Sequence, residues 1–221
     1  MEHVLLIGGT GGIGSALSET LTELGSSVRT LSRRDDGFDF LKPESIDPLL
    51  QTLDGPFDKI IIATGALTVN GAQPEKSMTS LDAQAMSDQF TVNAIGPAMV
   101  LKHAKRLLPR DRPSLICALS ARVGSIGDNS LGGWYSYRAA KSALNQIVRT
   151  TAIELSRTHK QSVCVALHPG TVATEFTRKY AGRHSTVTPD AAAQNLVDVM
   201  QSLNPSQTGQ FFDWAGKSIP W

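Results

Sequence analysis

Tyr137 and Lys141 stand four residues apart in the run Tyr135-Ser136-Tyr137-Arg138-Ala139-Ala140-Lys141. On a helix that spacing sets the two side chains one turn apart on one face. A phenol titrates near ~10 and keeps its proton at neutral pH, whereas an ammonium beside it favours the phenolate and lowers that value. The pair is therefore expected to give or take a proton near neutrality, as a general acid or base does. The same spacing also describes a tyrosine ring lying on a lysine stem, which is ordinary surface chemistry. The pair gains meaning from its company: a glycine-rich loop near the start of the chain, Ser120 at the end of an apolar run, and Asn93 in the stretch before it.

The glycine loop is Gly8-Gly9-Thr10-Gly11-Gly12-Ile13-Gly14. It follows a short apolar run and opens a stretch in which Ile13, Leu17, Leu21 and Leu24 recur at helical spacing. A strand, a glycine turn and a helix N-terminus in that order present backbone N–H groups and the positive helix end to a phosphate. Gly9, Gly11 and Gly14 fit Gly-x-Gly-x-x-Gly, and Gly8, Gly12 and Gly14 fit Gly-x-x-x-Gly-x-Gly; spacing does not choose between them. No Lys-Ser/Thr pair follows, which excludes a P-loop. Where an NAD site places an acid at the end of the second strand, this chain has Ser32-Arg33-Arg34. Arg33 and Ser32 can donate to a 2′-phosphate, so NADP(H) is favoured over NAD(H). The competing reading pairs Arg33 and Arg34 with Asp35 and Asp36 in a solvated turn.

These groups need a scaffold, and the chain supplies one by alternating short apolar runs with longer helical patterns, the mark of an α/β fold with a parallel sheet. Strands are expected at residues 3–7, 27–32, 38–40, 58–63, 114–120, 162–167 and 209–214. Helices are expected after the glycine loop, from 43 to 53, from 81 to 108 with a kink or break at Pro97, from the Tyr137 segment to 156, and from 189 to 203. Residues 64–80, 124–133 and 171–187 read as loops. No linker or repeat divides the 221 residues, so one domain over 1–221 is expected. A net charge of +1 gives no reason to expect nucleic acid or an anionic membrane as partner. No apolar run reaches the ~20 residues of a membrane span, and the run 4–7 is too short for the core of a secretion signal. A soluble, cytoplasmic protein is expected. Cys117 and Cys164 lie singly in apolar runs, without metal-ligand spacing, and are expected as buried free thiols.

In order along the chain, the glycine loop, Asn93, Ser120, Tyr137-x-x-x-Lys141 and Pro169-Gly170 resemble the short-chain dehydrogenases/reductases, and the resemblance covers essentially the whole sequence. The stretch 120–129, with Phe211-Phe212-Asp213-Trp214 and Ile219-Pro220-Trp221, is most similar to the carbonyl-reductase-like branch that includes the insect sniffer protein and the bacterial C-factor. The resemblance implies a Rossmann-type doubly wound sheet of about seven strands in the order 3-2-1-4-5-6-7. It implies hydride transfer between a nicotinamide and a small carbonyl or alcohol substrate, and a homodimer or homotetramer.

It also implies roles. Tyr137 donates the proton to the carbonyl oxygen, Lys141 lowers its pKa and holds the nicotinamide ribose, and Ser120 orients the same oxygen. Asn93 holds a water that relays protons from Lys141. Asp39 lies near the adenine, Ala63-Thr64-Gly65 lines the cofactor where the family usually has Asn-Ala-Gly, and Pro169, Gly170, Val172 and Thr174 close over the nicotinamide. Ser125 is a rival to Ser120. His168, just before Pro169, is read as structural rather than as a base. The substrate pocket is expected from 122–134, with Trp134 as an aromatic wall, and from 175–187, where Arg178, Lys179, Arg183 and His184 read as a solvated lid surface that hints only weakly at an anionic substrate. A different class of function, a cofactor-binding signalling or regulatory protein with little turnover, fits the same cofactor loop, although such a protein has no need of the Tyr137 acid.

Overall fold

A computed structural model gives the arrangement of residues 1–177 and 186–221. Arg178, Lys179, Arg183 and His184 lie outside the described residues. Six parallel strands form one sheet: β1 (His3–Ile7), β2 (Ser27–Leu31), β3 (Lys59–Ile62), β4 (Ser114–Leu119), β5 (Ser162–His168) and β6 (Phe211–Asp213), in the order β2-β1-β3-β4-β5-β6. Successive side chains of a strand face opposite ways, and β1 shows the result. Leu5 and Ile7 enter a core with Phe38, Ile46, Leu50, Val100, Leu144 and Val148. Val4 and Leu6 enter another, with Leu17, Leu21, Leu196 and Met200. The helices supplying these residues are α1 (Gly12–Glu23) and α8 (Pro189–Ser202) on one face, and α3 (Ile46–Gln51), α5 (Gly96–Leu101) and α7 (Tyr135–Leu155) on the other. Because β1 pairs with both β2 and β3, the chain changes direction across the sheet there. The crevice beyond the strand ends at such a switch point is where this architecture holds ligands.

The seventh strand expected at 38–40 is absent. Gly37, at φ 70°, ends the short helix α2 (Arg33–Asp36) in the left-handed region. The Asp39 carboxylate then accepts from Leu41 N–H at 3.0 Å, and Asp39 N–H donates to Ser45 Oγ at 3.2 Å. Backbone groups that a strand would pair with a neighbour are thus engaged locally. The alternation of Phe38 and Phe40 about a polar residue looks strand-like, but the two rings, 5.6 Å apart, plug the core beneath α5. Gly96 makes room: a Cβ there would lie 2.2 Å from Phe40 Cγ.

Pro97 does not break the helix expected from 81 to 108. The chain runs from α4 (Ala83–Phe90) through a π-helical turn (Thr91–Ile95) into α5, with Pro97 in its first turn, and breaks only at 102–103 before α6 (Ala104–Leu107). A proline removes the N–H that would bond four residues back, and here that position is Asn93, inside the π turn. Both cysteines are free and buried, Cys117 on β4 and Cys164 on β5. Among the described residues no helix is long and apolar enough to cross a membrane, and no cluster of His, Cys, Asp and Glu is built to hold a metal.

Candidate active site and cofactor cleft

Two adjoining cavities, of about 320 and 340 Å³, open at the carboxyl ends of the strands and share Gly11, Ala63, Thr64 and Gly65. One contains the proposed chemistry: Ser120, Tyr137, Lys141, His168, Pro169, Gly170, Val172 and Thr174 line it. The other contains Gly8, Thr10, Ser32, Arg33 and Asp39. The two halves expected of a dinucleotide site are therefore joined end to end across the glycine loop.

The loop itself distinguishes the two glycine spacings. Gly8 turns at φ 93°, and its Cβ would lie 2.8 Å from Thr64 Cγ2. A Cβ on Gly12 would lie 2.6 Å from Thr174 Cγ2, and one on Gly14 2.1 Å from the Gly8 carbonyl oxygen. Gly11 has only an ordinary contact at 3.5 Å. Conformation requires glycine at Gly8 and a backbone collision requires it at Gly14, whereas Gly12 presses only on the Thr174 side chain. Gly9 presses only on the Thr30 side chain. Ile13, the residue after Gly12, also lines the cavity of Ser120 and Tyr137. The N-terminus of α1 has no side-chain cap and no acid in its first turn, so its N–H groups and positive dipole face the cleft. Thr64 Oγ1, buried with no partner among the described residues, is a further polar atom in the wall. This cradle of glycine backbone fits the pyrophosphate of a dinucleotide.

At the far end, Ser32 is buried and caps α2, accepting from Asp35 N–H at 3.0 Å. Arg34 pairs with Asp35 and Arg29 with Asp36, whereas Arg33 makes no ion pair among the described residues and lines the cavity. The competing reading of the Arg-Arg-Asp-Asp turn thus holds for Arg34 and not for Arg33.

Tyr137 and Lys141 are buried on the first turns of α7, with Lys141 Nζ 5.9 Å from the Tyr137 ring centroid and donating to Leu119 O at 3.0 Å. Burial decides both titrations. It pushes Lys141 down to about 7 and Tyr137 above its ordinary value. The expected drop in the phenol's pKa is corrected accordingly: desolvation outweighs a neighbour whose own charge is weakened by the same burial. His168, also in the wall, is lowered to about 4 by burial, with Arg122 adding to the shift and Asp213 opposing it. It is neutral near pH 7, and its Nδ1 is buried without a partner among the described residues.

Ser120 follows β4 directly, and its N–H is fixed on Leu167 O at 2.8 Å. Its hydroxyl donates to Asn145 Oδ1 at 2.6 Å, while Asn145 Nδ2 donates to Gly124 O at 3.2 Å. That carbonyl can only accept, so it sets the orientation of the amide, and the amide sets the direction of the serine proton. Ser125 is turned away: its hydroxyl donates to Pro220 O and accepts from Asp128 N–H at 3.1 Å, and it does not line the cavity. Asn93 is wholly buried, and the protein engages both polar atoms of its side chain. Oδ1 accepts from Ala66 N–H at 3.1 Å, and Nδ2 donates to Ala66 O at 2.9 Å and Gln89 Oε1 at 2.8 Å. It clamps the chain just past Gly65, where a Cβ would come 3.2 Å from Lys141 Nζ.

Trp134 and Phe176 flank the Tyr137 ring at centroid distances of 6.3 and 6.2 Å. Phe176 lies within the 175–187 stretch expected at the pocket, whereas sequence reasoning missed Asn145 and Gln89. Asn145 was findable, since it continues the Tyr137, Lys141 series at the next i+4 step on the same helix face.

The chain is similar to known proteins over most of its length. A family model described as enoyl-(acyl carrier protein) reductase matches residues 37–202. The 1-hydroxy-2-glutathionyl-2-methyl-3-butene dehydrogenase of a Rhodococcus strain is 31% identical over 100% of both chains. The C-signal protein of Myxococcus xanthus is 32% identical over 76% of this chain and 94% of its own. Among solved structures, a short-chain dehydrogenase/reductase from Burkholderia multivorans with bound NADP superposes with a TM-score of 0.80 at 25% identity, covering 100% of this chain and 99% of that one.

Proposed function

Because the chain belongs to the short-chain dehydrogenase/reductase family of oxidoreductases, we propose that it binds NADP(H) and interconverts a small carbonyl compound and its alcohol, with Tyr137 as the acid and base. The observation that carries this reading is the convergence of Tyr137, Lys141 and Ser120 on one cavity that continues into the glycine cradle. The bound nicotinamide supplies or accepts the hydride.

The chain's own residues do the rest. Gly8, Gly12 and Gly14 let the backbone approach the pyrophosphate, and Ser32 with Arg33 holds the 2′-phosphate, the chemistry consistent with the NADP in the Burkholderia neighbour. Negative charge grows on the substrate oxygen as the carbon is reduced, and donors placed in advance stabilise it. Tyr137, kept protonated by burial, donates its proton to that oxygen. Ser120 donates a second hydrogen bond by turning its proton away from Asn145. Lys141, near pH 7 in its own titration, returns a proton to Tyr137 between turnovers. In the proposed relay toward solvent, the Asn93 main-chain carbonyl is the group that holds the water, because Pro97 removes its usual i+4 donor.

Fluorescence titration with NADPH and NADH in parallel, then NADPH oxidation across aldehydes, ketones and quinones, tests the reading. NADPH is expected to bind more tightly than NADH, and Tyr137→Phe to lower kcat at least tenfold, about 1.4 kcal/mol of barrier. Tighter binding of NADH overturns the cofactor assignment, and a smaller loss in the variant overturns Tyr137 as the acid. A second reading, a signalling or regulatory protein with little turnover, draws on the C-signal relative; it predicts tight NADPH binding with no turnover of any carbonyl.

A further inference from the structure

The residues that lead into α7 are left-handed three times in succession: Gly132 at φ 64°, Gly133 at φ 66° and Trp134 at φ 52°. Glycine takes this conformation freely, but tryptophan does so only under constraint. Trp134 occupies the N-cap position without a side-chain cap, and the first turn of this 21-residue helix contains no acid. The local sequence therefore leaves the positive end of α7 uncapped, one turn from Tyr137.

Glu75, 61 residues earlier in the 64–80 loop, fills that place. It is only 7% exposed. Its Oε2 accepts from Ser136 N–H at 3.2 Å, its Oε1 accepts from Ser136 Oγ, and its main-chain carbonyl accepts from Trp134 N–H at 2.5 Å. One residue thus grips the chain on both sides of Tyr135. From the other side, Arg138 Nε donates to Gly133 O at 2.9 Å. So fixed, the Trp134 ring stands edge-on to the Tyr137 ring at 70°.

We propose that Glu75 is the positioning residue for Tyr137: it caps the catalytic helix from a distant loop and holds Trp134 in its left-handed conformation against the phenol. Nothing in the local sequence of α7 substitutes for it. The proposal rests on the reading of Tyr137 as the acid, and its test has an arm that does not need turnover.

Glu75→Ala, Glu75→Gln, Ser136→Ala and the Glu75→Ala/Ser136→Ala pair are compared with the native chain. The measurements are NADPH binding, reduction of the fastest carbonyl of the panel above with NADPH, and hydrogen exchange of the peptides covering 134–141. In Glu75→Ala, kcat is expected to fall about 10- to 100-fold, as misplacement of a reacting group does, with NADPH Kd changed less than about threefold. The amides of 135–138 are expected to exchange at least about tenfold faster. Glu75→Gln, which keeps an acceptor for Ser136 N–H, is expected to recover kcat to within about threefold, and the pair to be no worse than Glu75→Ala alone. Should Glu75→Ala fail to fold, Ser136→Ala carries the same comparison by removing one anchoring bond. Unchanged exchange over 134–138 overturns the cap. Faster exchange with unchanged kcat overturns the positioning role. A native chain that reduces no carbonyl overturns the acid assignment and the positioning role with it, while the exchange result still decides the cap.

Discussion

Adding one methyl group at Gly14 tests the cofactor cradle more sharply than removing any side chain. An alanine Cβ at this position falls 2.1 Å from the Gly8 carbonyl oxygen, 2.9 Å from its carbon and 3.2 Å from Gly9 Cα. Carbon and oxygen that are not bonded approach to about 3.3 Å, so the loop and the helix must part by about 1.2 Å. Every atom in the collision is backbone, and no rotamer change relieves it. Helix propensity works the other way, favouring alanine over glycine by about 1 kcal/mol. Overpacking costs about 1–3 kcal/mol. The net destabilisation of about 0–2 kcal/mol lowers Tm by no more than about 8 °C in a chain of this size. The effect on the ligand is larger, because the displaced atoms are the phosphate cradle itself. A 10- to 100-fold rise in NADPH Kd, about 1.4–2.7 kcal/mol, is expected by fluorescence titration. Gly11→Ala is the control: at φ −79° with its nearest contact at 3.5 Å, alanine fits the chain and Tm is expected to stay put, even if the methyl group intrudes on the ligand. A Gly14→Ala protein that binds NADPH within about twofold of the native Kd at the native Tm would refute the reasoning.

Three further outcomes follow from other parts of the cleft. Arg33→Ala is expected to raise the Kd for NADPH at least about tenfold, as loss of charge-assisted donors does, and to leave NADH within about twofold; equal weakening of both removes Arg33 from the 2′-phosphate. Lys141→Met bears on pH. The folded protein holds Lys141 at about 7 against an ordinary 10.5, so between those values the unfolded chain binds more protons and wild-type stability rises with pH. The Tm advantage of the methionine variant is therefore greatest below about pH 7 and shrinks toward pH 10; an advantage constant across that range contradicts the lowered titration. Asn145→Leu strands the Ser120 hydroxyl at a buried site and is expected to cost about 1–3 kcal/mol in urea unfolding. Replacing Ser120 by alanine as well should cost less than the two changes summed, and strict additivity would argue against the bond.

What could be read from the sequence was local. The glycine loop announces itself because its demands fall within seven consecutive residues, and Tyr137 and Lys141 because a helix turns a four-residue spacing into a shared face. Even there, only coordinates separated Gly12 from Gly11, since the decisive contact of Gly12 is with Thr174, far along the chain. Phe38 and Phe40 misled because a core plug and a short strand leave the same alternation; the turn at Asp39 was the overlooked signal. Pro97 misled because a π turn just before it carries the helix past the missing hydrogen bond. Burial was also illegible, and it reversed the expected direction for Tyr137. Glu75 and the Ser120–Asn145 bond depend on partners 61 and 25 residues away, which no spacing rule reaches.

The two cysteines sit on β4 and β5, paired strands in the interior of the sheet. Burial pushes the Cys117 thiol up to about 12 and Cys164 upward as well. Since the thiolate is the form that alkylates, neither sulfur reacts while the sheet is closed. Labelling under native conditions must wait for the interior of the sheet to part, so its rate reports how often that happens. Anything that binds the folded chain slows the labelling by mass action, without touching either cysteine. A library of nucleotides, aldehydes and alcohols can thus be ranked by how long it protects two thiols, with no turnover followed.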